Sequence, residues 1–436
     1  MAGELSRQRV SDLISQKVLA IGDGYRAKNS EMSLAGIPFA RAGNIDGGFL
    51  FNDADLIDIS SIPVPKEKLS YPGDTVFTSK GTVGRFAFVK HDTRQFVYSP
   101  QLCYWRSLDK NLIDPKYLYY WLSGPEFYAQ YKGVSGQTDM AEYVSLGDQR
   151  QMWISLPDPA DQTAIGEVLG LLDDKIDVNR RMAATVEEMA EAVFKSWFVD
   201  FDPVHAKVER RDPRLAADIA ALFPDRFDGN GVPEGWTNAP LLQHARLISG
   251  GTPNTDELAY WDGPISWASA RDVSQCPDRF LIGTERTITQ KGLDESATRM
   301  VPALSTVVVA RGATTGRHCL FGREMAMNQT CYALSSSNET PFWLACAFSR
   351  LVDALVRGAH GSVFDTITTT TLGTARVVDG GQALTVAFET SVAPMYRRIL
   401  GLVQEASKLR TLRDTLLPKL ISGELRIKDA EKAVAA

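Results

Sequence analysis

Two long segments with a heptad pattern of apolar residues constrain the fold of this chain more than any other feature. They span residues 161–198 and 384–417, and apolar side chains recur in each at alternating steps of three and four residues. A period near 3.5 residues predicts an α-helix whose apolar seam is covered by a partner helix. Because one chain carries two such segments, we predict that the two helices cover each other. The predicted seam comprises Ile165, Leu169, Leu172, Ile176, Val186 and Val193 in the first helix, and Phe388, Val392, Met395, Ile399, Leu402, Leu409 and Leu416 in the second.

The segments that precede the two helices correspond to each other in order. Residues 79–85 (SKGTVGR) match residues 310–317 (ARGATTGR), and a β-branched run precedes each of them. The other matched pairs are 37–39 with 265–267, 44–45 with 272–273, 99–102 with 327–330, and 134–136 with 359–361. A repeat of about half the chain predicts a tandem duplication, in which one mixed domain and one long helix occur twice.

These patterns predict an α+β fold in which a mixed α/β domain and a long helix are duplicated with pseudo-twofold symmetry. Pro157 and Pro159 break the chain before the first helix, Asp161 can cap that helix, and Gly423 suits the end of the second. The predicted regions are a first domain at 1–156, a first long helix at 157–200, a linker at 201–236, a second domain at 237–382, a second long helix at 383–425 and a frayed polar tail at 426–436.

Composition argues against several classes of protein. The five cysteines are odd in number and scattered, which argues against a disulfide framework and against a zinc site. No window approaches the ~20 apolar residues of a membrane span, and no signal peptide is evident, so we expect a cytoplasmic protein. The formal net charge of −6 does not favour nucleic-acid binding, which needs Lys and Arg facing phosphates, but the local distribution of charge matters more.

Sequence motifs of catalysis are missing. The chain has no G-x-x-x-x-G-K-[ST] phosphate loop, no H-E-x-x-H and no G-x-S-x-G. It also lacks an Asn/Asp-Pro-Pro-aromatic tetrapeptide of the adenine-methyltransferase kind. We therefore expect no catalytic site, no metal site and no cofactor in this chain.

Several segments resemble a known family. Residues 172–181 (LDDKIDVNRR) and 194–203 (FKSWFVDFDP) resemble the central conserved region of the specificity (S) subunit of Type I restriction–modification systems. Residues 413–425 (RDTLLPKLISGEL) are similar to the C-terminal conserved region of that family. Residues 249–253 (SGGTP), followed by Tyr260-Trp261, are similar to the start of its target recognition domains.

The resemblance implies a DNA reader without catalytic activity of its own. Each mixed domain would be a target recognition domain that recognises one half of a split, asymmetric site in double-stranded DNA. The long helices would form an antiparallel coiled coil that sets the spacer and docks two methyltransferase (M) subunits. Those subunits would carry S-adenosylmethionine, and restriction (R) translocase–nuclease subunits that use ATP and Mg²⁺ would join them. Two alternatives remain open: a coiled-coil scaffold that binds only proteins, and a DNA methyltransferase whose catalytic site is not recognisable.

The two matched glycine loops are candidates for DNA contact. Glycine allows backbone N–H groups to approach phosphates while a neighbouring cation pairs with them, although both loops could simply be tight turns. The candidate DNA-binding residues are Lys80, Gly81, Arg85 and Gln101 in the first half, and Arg311, Gly312, Arg317 and Gln329 in the second.

Three further features have two interpretations each. Asn179 occupies an apolar heptad position and either fixes the register of the coiled coil or marks a helix break. The aromatic residues at 117–128 are either core or a stacking surface. The acidic residues Asp173, Asp174 and Asp177 either hold a metal or, as we favour, lie on a solvated or partner-facing helix surface.

Overall fold

A computed structural model describes residues 6–45, 47–80, 83–135, 144–359 and 366–435 of the chain. In the described part of the first half, the strands are β1 (Ser6–Arg9), β2 (Leu19–Asp23), β3 (Met32–Ser33), β4 (Ile37–Ala40), β5 (Leu56–Ile57), β6 (Thr75–Thr78), β7 (Phe86–Phe88), β8 (Val97–Tyr98), β9 (Leu102–Ser107) and β10 (Trp153–Leu156). The helices are α1 (Val10–Ser15), α2 (Pro115–Leu122), α3 (Pro125–Ser135), α4 (Leu146–Gln151) and α5 (Pro159–Phe198).

The described part of the second half has a similar succession with additional short elements. Its strands are β11 (Thr237–Pro240), β12 (Ala245–Ser249), β13 (Trp261–Ala268), β14 (Phe280–Leu281), β15 (Arg286–Ile288), β16 (Met300–Val301), β17 (Thr306–Val309), β18 (His318–Phe321), β19 (Met325–Met327), β20 (Cys331–Ser336) and β21 (Arg376–Asp379). Its helices are α6 (Asp202–Val208), α7 (Ala217–Ala220), α8 (Leu241–His244), α9 (Ala270–Ser274), α10 (Gln290–Asp294), α11 (Pro341–Ala359), α12 (Thr369–Thr374), α13 (Gln382–Ile421) and α14 (Ile427–Ala435).

The chain forms two compact units, and both long helices contribute to each. The first unit contains Met1–Lys175 and Leu409–Ala436, and the second contains Ile176–Lys408. Each unit therefore combines one mixed domain with one part of α5 and one part of α13. Among the described residues, no helix is long and apolar enough to cross a membrane.

The sheets of the two units share most of their strand order, but β14 extends one sheet of the second unit, and β3 and β16 lie at opposite edges of the other sheet. In the first unit the order is β2-β9-β6-β7 in one sheet and β3-β5-β4-β8 in another, while β1 pairs with β10. In the second unit the order is β12-β20-β17-β18-β14 and β15-β13-β19-β16, while β11 pairs with β21. Apart from β3, β14 and β16, corresponding strands thus have corresponding neighbours. The topology confirms the predicted tandem duplication of a mixed domain followed by a long helix.

Successive side chains of β9 and β20 belong alternately to two different apolar clusters in each unit. In β9, Cys103 and Trp105 belong to the cluster shared with the helices, whereas Leu102 and Tyr104 belong to a cluster on the other side. This division follows from the two-residue period of a strand. The aromatic residues of α2 and α3 complete the helix side, and Tyr117, Trp121 and Phe127 are each 0% exposed. The core interpretation of residues 117–128 is therefore confirmed.

The long helices pack against each other in antiparallel directions. Both contain 40 residues, close to the predicted spans. In the first unit, Arg413 Nη1 of α13 lies 2.6 Å from Asp173 Oδ1 of α5. In the second unit, the ring of Phe388 lies 5.5 Å from that of Phe194 and 5.8 Å from that of Trp197. The later a residue lies in α5, the earlier its partner lies in α13.

Most of the predicted seam is buried. The buried members are Ile165, Leu169, Leu172, Ile176, Phe388, Val392, Ile399, Leu402 and Leu416, while Val186, Val193, Met395 and Leu409 are partly buried. Asn179 is 1% exposed, and α5 continues through it, so the helix-break interpretation is wrong. Neither polar atom of its side chain has a hydrogen-bond partner in the described structure. Register selection by Asn179 stays a prediction.

The tail that follows α13 and the linker between the two halves are more ordered than the sequence suggests. The predicted frayed tail contains α14, in which Ala430 is 0% exposed and packs with Ile427 and Val434 in the first unit's core. Spacing of three and four residues gives this short helix an apolar face, so the prediction of fraying is wrong. The linker also packs on a core, because Val204 and Phe223 belong to that of the second unit.

Candidate nucleic-acid interface

In the first unit, hydrogen bonds join three loops at the ends of β4, β6 and β8. The backbone N–H of Ser79 donates to the carbonyl of Gln101 at 2.9 Å, and the backbone N–H of Ala42 donates to Gln101 Oε1 at 3.3 Å. The backbone N–H of Ser99 donates to the carbonyl of Ala40 at 2.9 Å. Gln101 therefore ties the loop after β4 to the loop after β6, and its side chain is exposed beside both.

The two predicted cations of the first unit lie on this joined surface. Lys80 and Arg85 are both exposed. The backbone N–H of Arg85 donates to Thr78 Oγ1 at 3.1 Å, and Arg85 Nη1 lies 3.5 Å from the carbonyl of Ile45. Gly84 has a φ of +105°, and a side chain there would meet Tyr128 Oη, so this turn requires glycine. Gly81 lies outside the described residues.

The second unit builds the equivalent surface with the same backbone bonds. The N–H of Ala310 donates to the carbonyl of Thr330 at 2.8 Å, as that of Ser79 does to Gln101. The N–H of Val309 donates to the carbonyl of Arg317 at 2.8 Å, as that of Thr78 does to Arg85 at 3.0 Å. Lys80 is thus equivalent to Arg311, and Arg85 to Arg317. Arg311, Gly312 and Arg317 are all exposed.

One predicted correspondence is shifted by a residue. The sequence alignment places Gln101 opposite Gln329, but the backbone bonds make Gln101 equivalent to Thr330. Leu102 N–H donates to Ser99 at 2.9 Å, and Cys331 N–H donates to Asn328 at 3.3 Å, which fixes the same offset. Gln329 is exposed and accepts a hydrogen bond from Thr252 Oγ1. The sequence alignment is wrong here because each loop contains a glutamine, and the positions of the two glutamines differ by one residue.

A glycine packs against this surface in both units. A side chain on Gly250, after β12, would lie 1.9 Å from the carbonyl of Asn328, and one on Gly24, after β2, would lie 1.9 Å from that of Ser99. The glycine run at 249–253 therefore permits a close approach of two backbones. Sequence reasoning found this run but missed Gly24. Its signal was the Asp-Gly pair that ends β2.

Two exposed ion pairs beside the loops were also missed. In the first unit, Arg41 Nη2 lies 2.6 Å from Asp55 Oδ2. In the second, Arg271 Nη1 lies 3.5 Å from Glu285 Oε2. Their partners lie 14 positions away in the sequence in each case, counting 41 to 55 and 271 to 285. That shared separation was the available signal, but alignment of the duplicated strands does not reveal it, because Arg41 corresponds to Ser269 and not to Arg271.

Acidic residues of α5 form ion pairs in the described structure. No group of three or more potential metal ligands occurs among the described residues. Asp173 pairs with Arg413 and accepts a hydrogen bond from Tyr120 Oη at 2.7 Å, while Asp174 pairs with Lys90 at 3.2 Å. These two carboxylates form ion pairs at the surface of α5.

A serine–histidine contact in the second unit is structural in character. His318 Nε2 lies 3.0 Å from Ser349 Oγ, but Nδ1 faces the carbonyl of Gly316 at 3.0 Å and not a carboxylate. Burial lowers the pKa of the His318 imidazole. Ser349 Oγ also donates to the carbonyl of Ala345 at 2.9 Å and contacts the Arg279 guanidinium. The contact lacks the acidic third member that orients a catalytic histidine.

Comparison with known proteins gives a consistent result across most of the chain. The family described as Type I restriction modification DNA specificity domain matches residues 24–188. The specificity subunit of the Type I restriction enzyme HindI from Haemophilus influenzae is 22% identical, over 86% of this chain and 91% of the relative. That of MjaIX from Methanocaldococcus jannaschii is 21% identical, over 82% and 78%. The crystal structure of a Type I system S subunit from M. genitalium superposes with a TM-score of 0.55 at 13% identity, and 96% of each chain is covered.

Proposed function

The chain belongs to the family of DNA specificity subunits of Type I restriction–modification systems, and from this premise we propose how its two units divide DNA recognition. Each unit reads one half of a bipartite target in double-stranded DNA. The observation that carries this proposal is the repeated surface: an exposed cation after β6 or β17 (Lys80, Arg311), and a second at the end of the same turn (Arg85, Arg317). Both turns are joined by backbone bonds to the neighbouring strand-end loop.

These cations suit contact with phosphates. Their side chains are exposed, so a phosphate can reach them without displacing an apolar contact. Backbone bonds to the strands fix the two ends of each turn, next to Lys80 and Arg311 and at Arg85 and Arg317, which holds these cations at a defined place on the surface. Phosphate contacts position a protein on the duplex and release counterions, whereas base edges carry the sequence information.

A salt titration tests the assignment. We expect Lys80→Ala or Arg311→Ala to weaken DNA binding by the assembled complex and to lower the slope of log K against log salt by about 0.9 per lost phosphate contact. The matched control is Lys110→Ala, because Lys110 is exposed but lies beyond the other end of β9. Slopes identical to that of the unchanged protein for both loop variants would show that the loops are only structural turns.

The long helices offer a surface for partner subunits. Val178, Met182 and Met189 of α5 lie four and seven residues apart and are 39%, 39% and 53% exposed. Exposed apolar residues at heptad spacing form a second seam, separate from the buried one that faces α13. In our proposal this seam docks the methyltransferase subunits, two per chain, and the restriction subunits join through them. The coiled coil also sets the spacer between the half-sites.

Docking through this seam can be tested by charge. Met182→Glu should weaken binding of the methyltransferase subunit, because a carboxylate would be buried in an apolar contact. Ala184→Glu is the matched control, since Ala184 is exposed and lies about 200° around the helix from Met182. Equal binding of the two variants in a pull-down or by calorimetry would refute the assignment.

The chain acts without catalysis in this proposal. S-adenosylmethionine, ATP and Mg²⁺ belong to the partner subunits, and the assembly works in the cytoplasm. A methylation assay separates this function from the alternatives. Transfer of methyl groups by the purified chain alone would indicate a methyltransferase, and failure of the assembled complex to shift any DNA would indicate a protein scaffold.

A further inference from the structure

An exposed arginine–carboxylate pair joins the same two segments of the fold in both units. In the first unit, Arg41 follows β4 directly, and its partner Asp55 precedes β5 directly. In the second unit, Arg271 lies in α9, shortly after β13, and its partner Glu285 precedes β15 directly. Since β4 corresponds to β13 and β5 to β15, both pairs join the same two segments of the fold, although neither Arg41 nor Asp55 is equivalent to a member of the second pair.

These pairs are poorly suited to stabilising the protein. The side chains of Arg41 and Asp55 are 49% and 46% exposed, and those of Arg271 and Glu285 are 68% and 65% exposed. Exposed ion pairs contribute little to folding because water screens them. The pair between Arg106 and Asp74 provides the contrast, since the Asp74 side chain is fully buried. An ion pair that adds little stability, yet occurs in both units, points to a role outside folding.

Local contacts restrain each guanidinium while leaving it accessible. Arg41 Cζ lies 5.5 Å from the centre of the Phe39 ring, and the Arg41 backbone N–H donates to Asn44 Oδ1 at 2.8 Å. Arg271 Nε donates to Gln275 Oε1 at 3.3 Å. Asp272 accepts from the backbone N–H of Glu285 at 2.9 Å, which fixes the carboxylate side of the second pair. A restrained fork loses less entropy when it binds a planar partner.

Both pairs lie in segments that are bonded to the candidate phosphate-binding loops. Ala42, next to Arg41, donates to Gln101, which in turn accepts from Ser79 beside Lys80. In the second unit, the carbonyl of Ala268, three positions before Arg271, accepts from Asn328 at 2.9 Å. A duplex held by the loop cations would therefore have the arginine of the adjoining segment as a neighbour.

We propose that Arg41 and Arg271 each read a guanine, one in each half-site. The inference rests on the proposed function of the two units as DNA readers. The guanidinium fork presents two parallel donors that match O6 and N7 of guanine in the major groove, which a single ammonium cannot do. The carboxylate of Asp55 or Glu285 forms an ion pair with the guanidinium and so restrains the orientation of the fork. It leaves the two reading donors free.

The two arginines do not occupy equivalent positions, so the two units recognise different half-sites. The backbone bonds make Ala40 equivalent to Ala268, so Arg41 corresponds to Ser269 and Arg271 lies two residues further along. The cations Lys80 and Arg311, by contrast, are equivalent. The guanine read by each unit therefore lies at a different offset from the phosphates that position the unit. A chain built by duplication can in this way recognise two different half-sites.

The test compares base preference with affinity in the full complex. The chain with its methyltransferase subunits is used to select DNA from a library with both half-sites randomised. We expect Arg41→Ala to reduce discrimination at one base pair of one half-site by about 5- to 150-fold. The other half-site should be unchanged, and Arg271→Ala should give the reciprocal result. Arg41→Lys should also relax that base pair, because it keeps the charge and loses the fork.

A matched ion pair controls for loss of a surface arginine. Arg226 pairs with Glu234, and their side chains are 73% and 49% exposed, but the pair belongs to the segment between α7 and β11. Arg226→Ala should leave both half-sites unchanged. Uniform loss of affinity in Arg41→Ala, with unchanged base preference and rescue by lysine, would assign Arg41 to phosphate and overturn the inference. A wild-type complex with no base preference would instead overturn the proposed function, and the inference with it.

Discussion

Replacing Asp74 tests whether the first unit depends on a buried polar network. The Asp74 side chain is 0% exposed, and its carboxylate binds Arg106 through Nε–Oδ1 at 2.5 Å and Nη2–Oδ2 at 2.8 Å. It also accepts from Tyr98 Oη at 2.5 Å and from the backbone N–H of Tyr71 at 2.8 Å. The Arg106 guanidinium lies between the rings of Tyr71 and Tyr104, at 4.3 and 4.7 Å. Removing the carboxylate leaves a charge and a phenol without their partner.

The expected cost follows from this burial. Breaking a buried ion pair by removing one member costs about 3–5 kcal/mol, and the lower end applies here because the Arg106 side chain is 19% exposed. We therefore expect Asp74→Ala to lower the free energy of unfolding of the first unit by about 3 kcal/mol. For a unit of this size, that corresponds to a fall in Tm of about 6–12 °C. Urea unfolding monitored by fluorescence measures the change in free energy, and scanning calorimetry measures the change in Tm.

The duplication supplies the control. Ser305 is the equivalent residue of the second unit; it is 1% exposed, and its Oγ has no hydrogen-bond partner in the described structure. Ser305→Ala should therefore change stability by less than about 1 kcal/mol. The double variant Asp74→Leu with Arg106→Met should cost less than the two single changes together, because it leaves no unpaired charge. A stability for Asp74→Ala within about 0.5 kcal/mol of wild type would refute the reasoning.

Two further predictions concern a buried glutamate and two glycines at equivalent positions of the two units. Burial raises the pKa of the Glu389 carboxyl to about 7, so the second unit should lose up to about 3 kcal/mol of stability as pH rises from about 4.5 through 7. Glu389→Gln should flatten that loss when stability is measured by urea unfolding at several pH values. A pH profile that is the same in the variant and the wild type would contradict this prediction. Gly24→Ala and Gly250→Ala should each lower Tm by several degrees, because the new methyl group meets a backbone carbonyl. Gly283→Ala is the control and should not lower Tm, because Gly283 has open space around it. Equal Tm values for all three variants would rule out the close approach.

The sequence predicted what depends on periodicity. The heptad pattern predicted the two helices and a set of apolar residues that are mostly buried, because burial of one face repeats every three or four residues. The matched turns predicted the duplication, and the backbone bonds of Thr78 with Arg85 and Val309 with Arg317 confirm the equivalence. These features are local or repeat along the chain, so they are visible without a structure.

The remainder depends on contacts between segments distant in sequence. The misplaced Gln329 shows that identity between short loops can outweigh the true offset, which only the bonds of Ser99 and Asn328 reveal. Gly24 is required by the carbonyl of Ser99, 75 positions away, counting 24 to 99. The helix α14 was missed because its apolar face is short and acquires meaning only against the first unit's core. Arg41 and Arg271 differ in position, so no repeat aligned them.

The spacer between half-sites tests the central claim most directly. Four residues are added to α5 after Lys175 and four to α13 after Lys408, at the boundaries of the two units. Each helix gains about 6 Å, and the seam survives only approximately because a four-residue insertion is a stutter. Methylated-site mapping of the assembled variant should show the same two half-sites separated by a longer spacer. An unchanged spacer with full activity, or altered half-sites, would contradict the account.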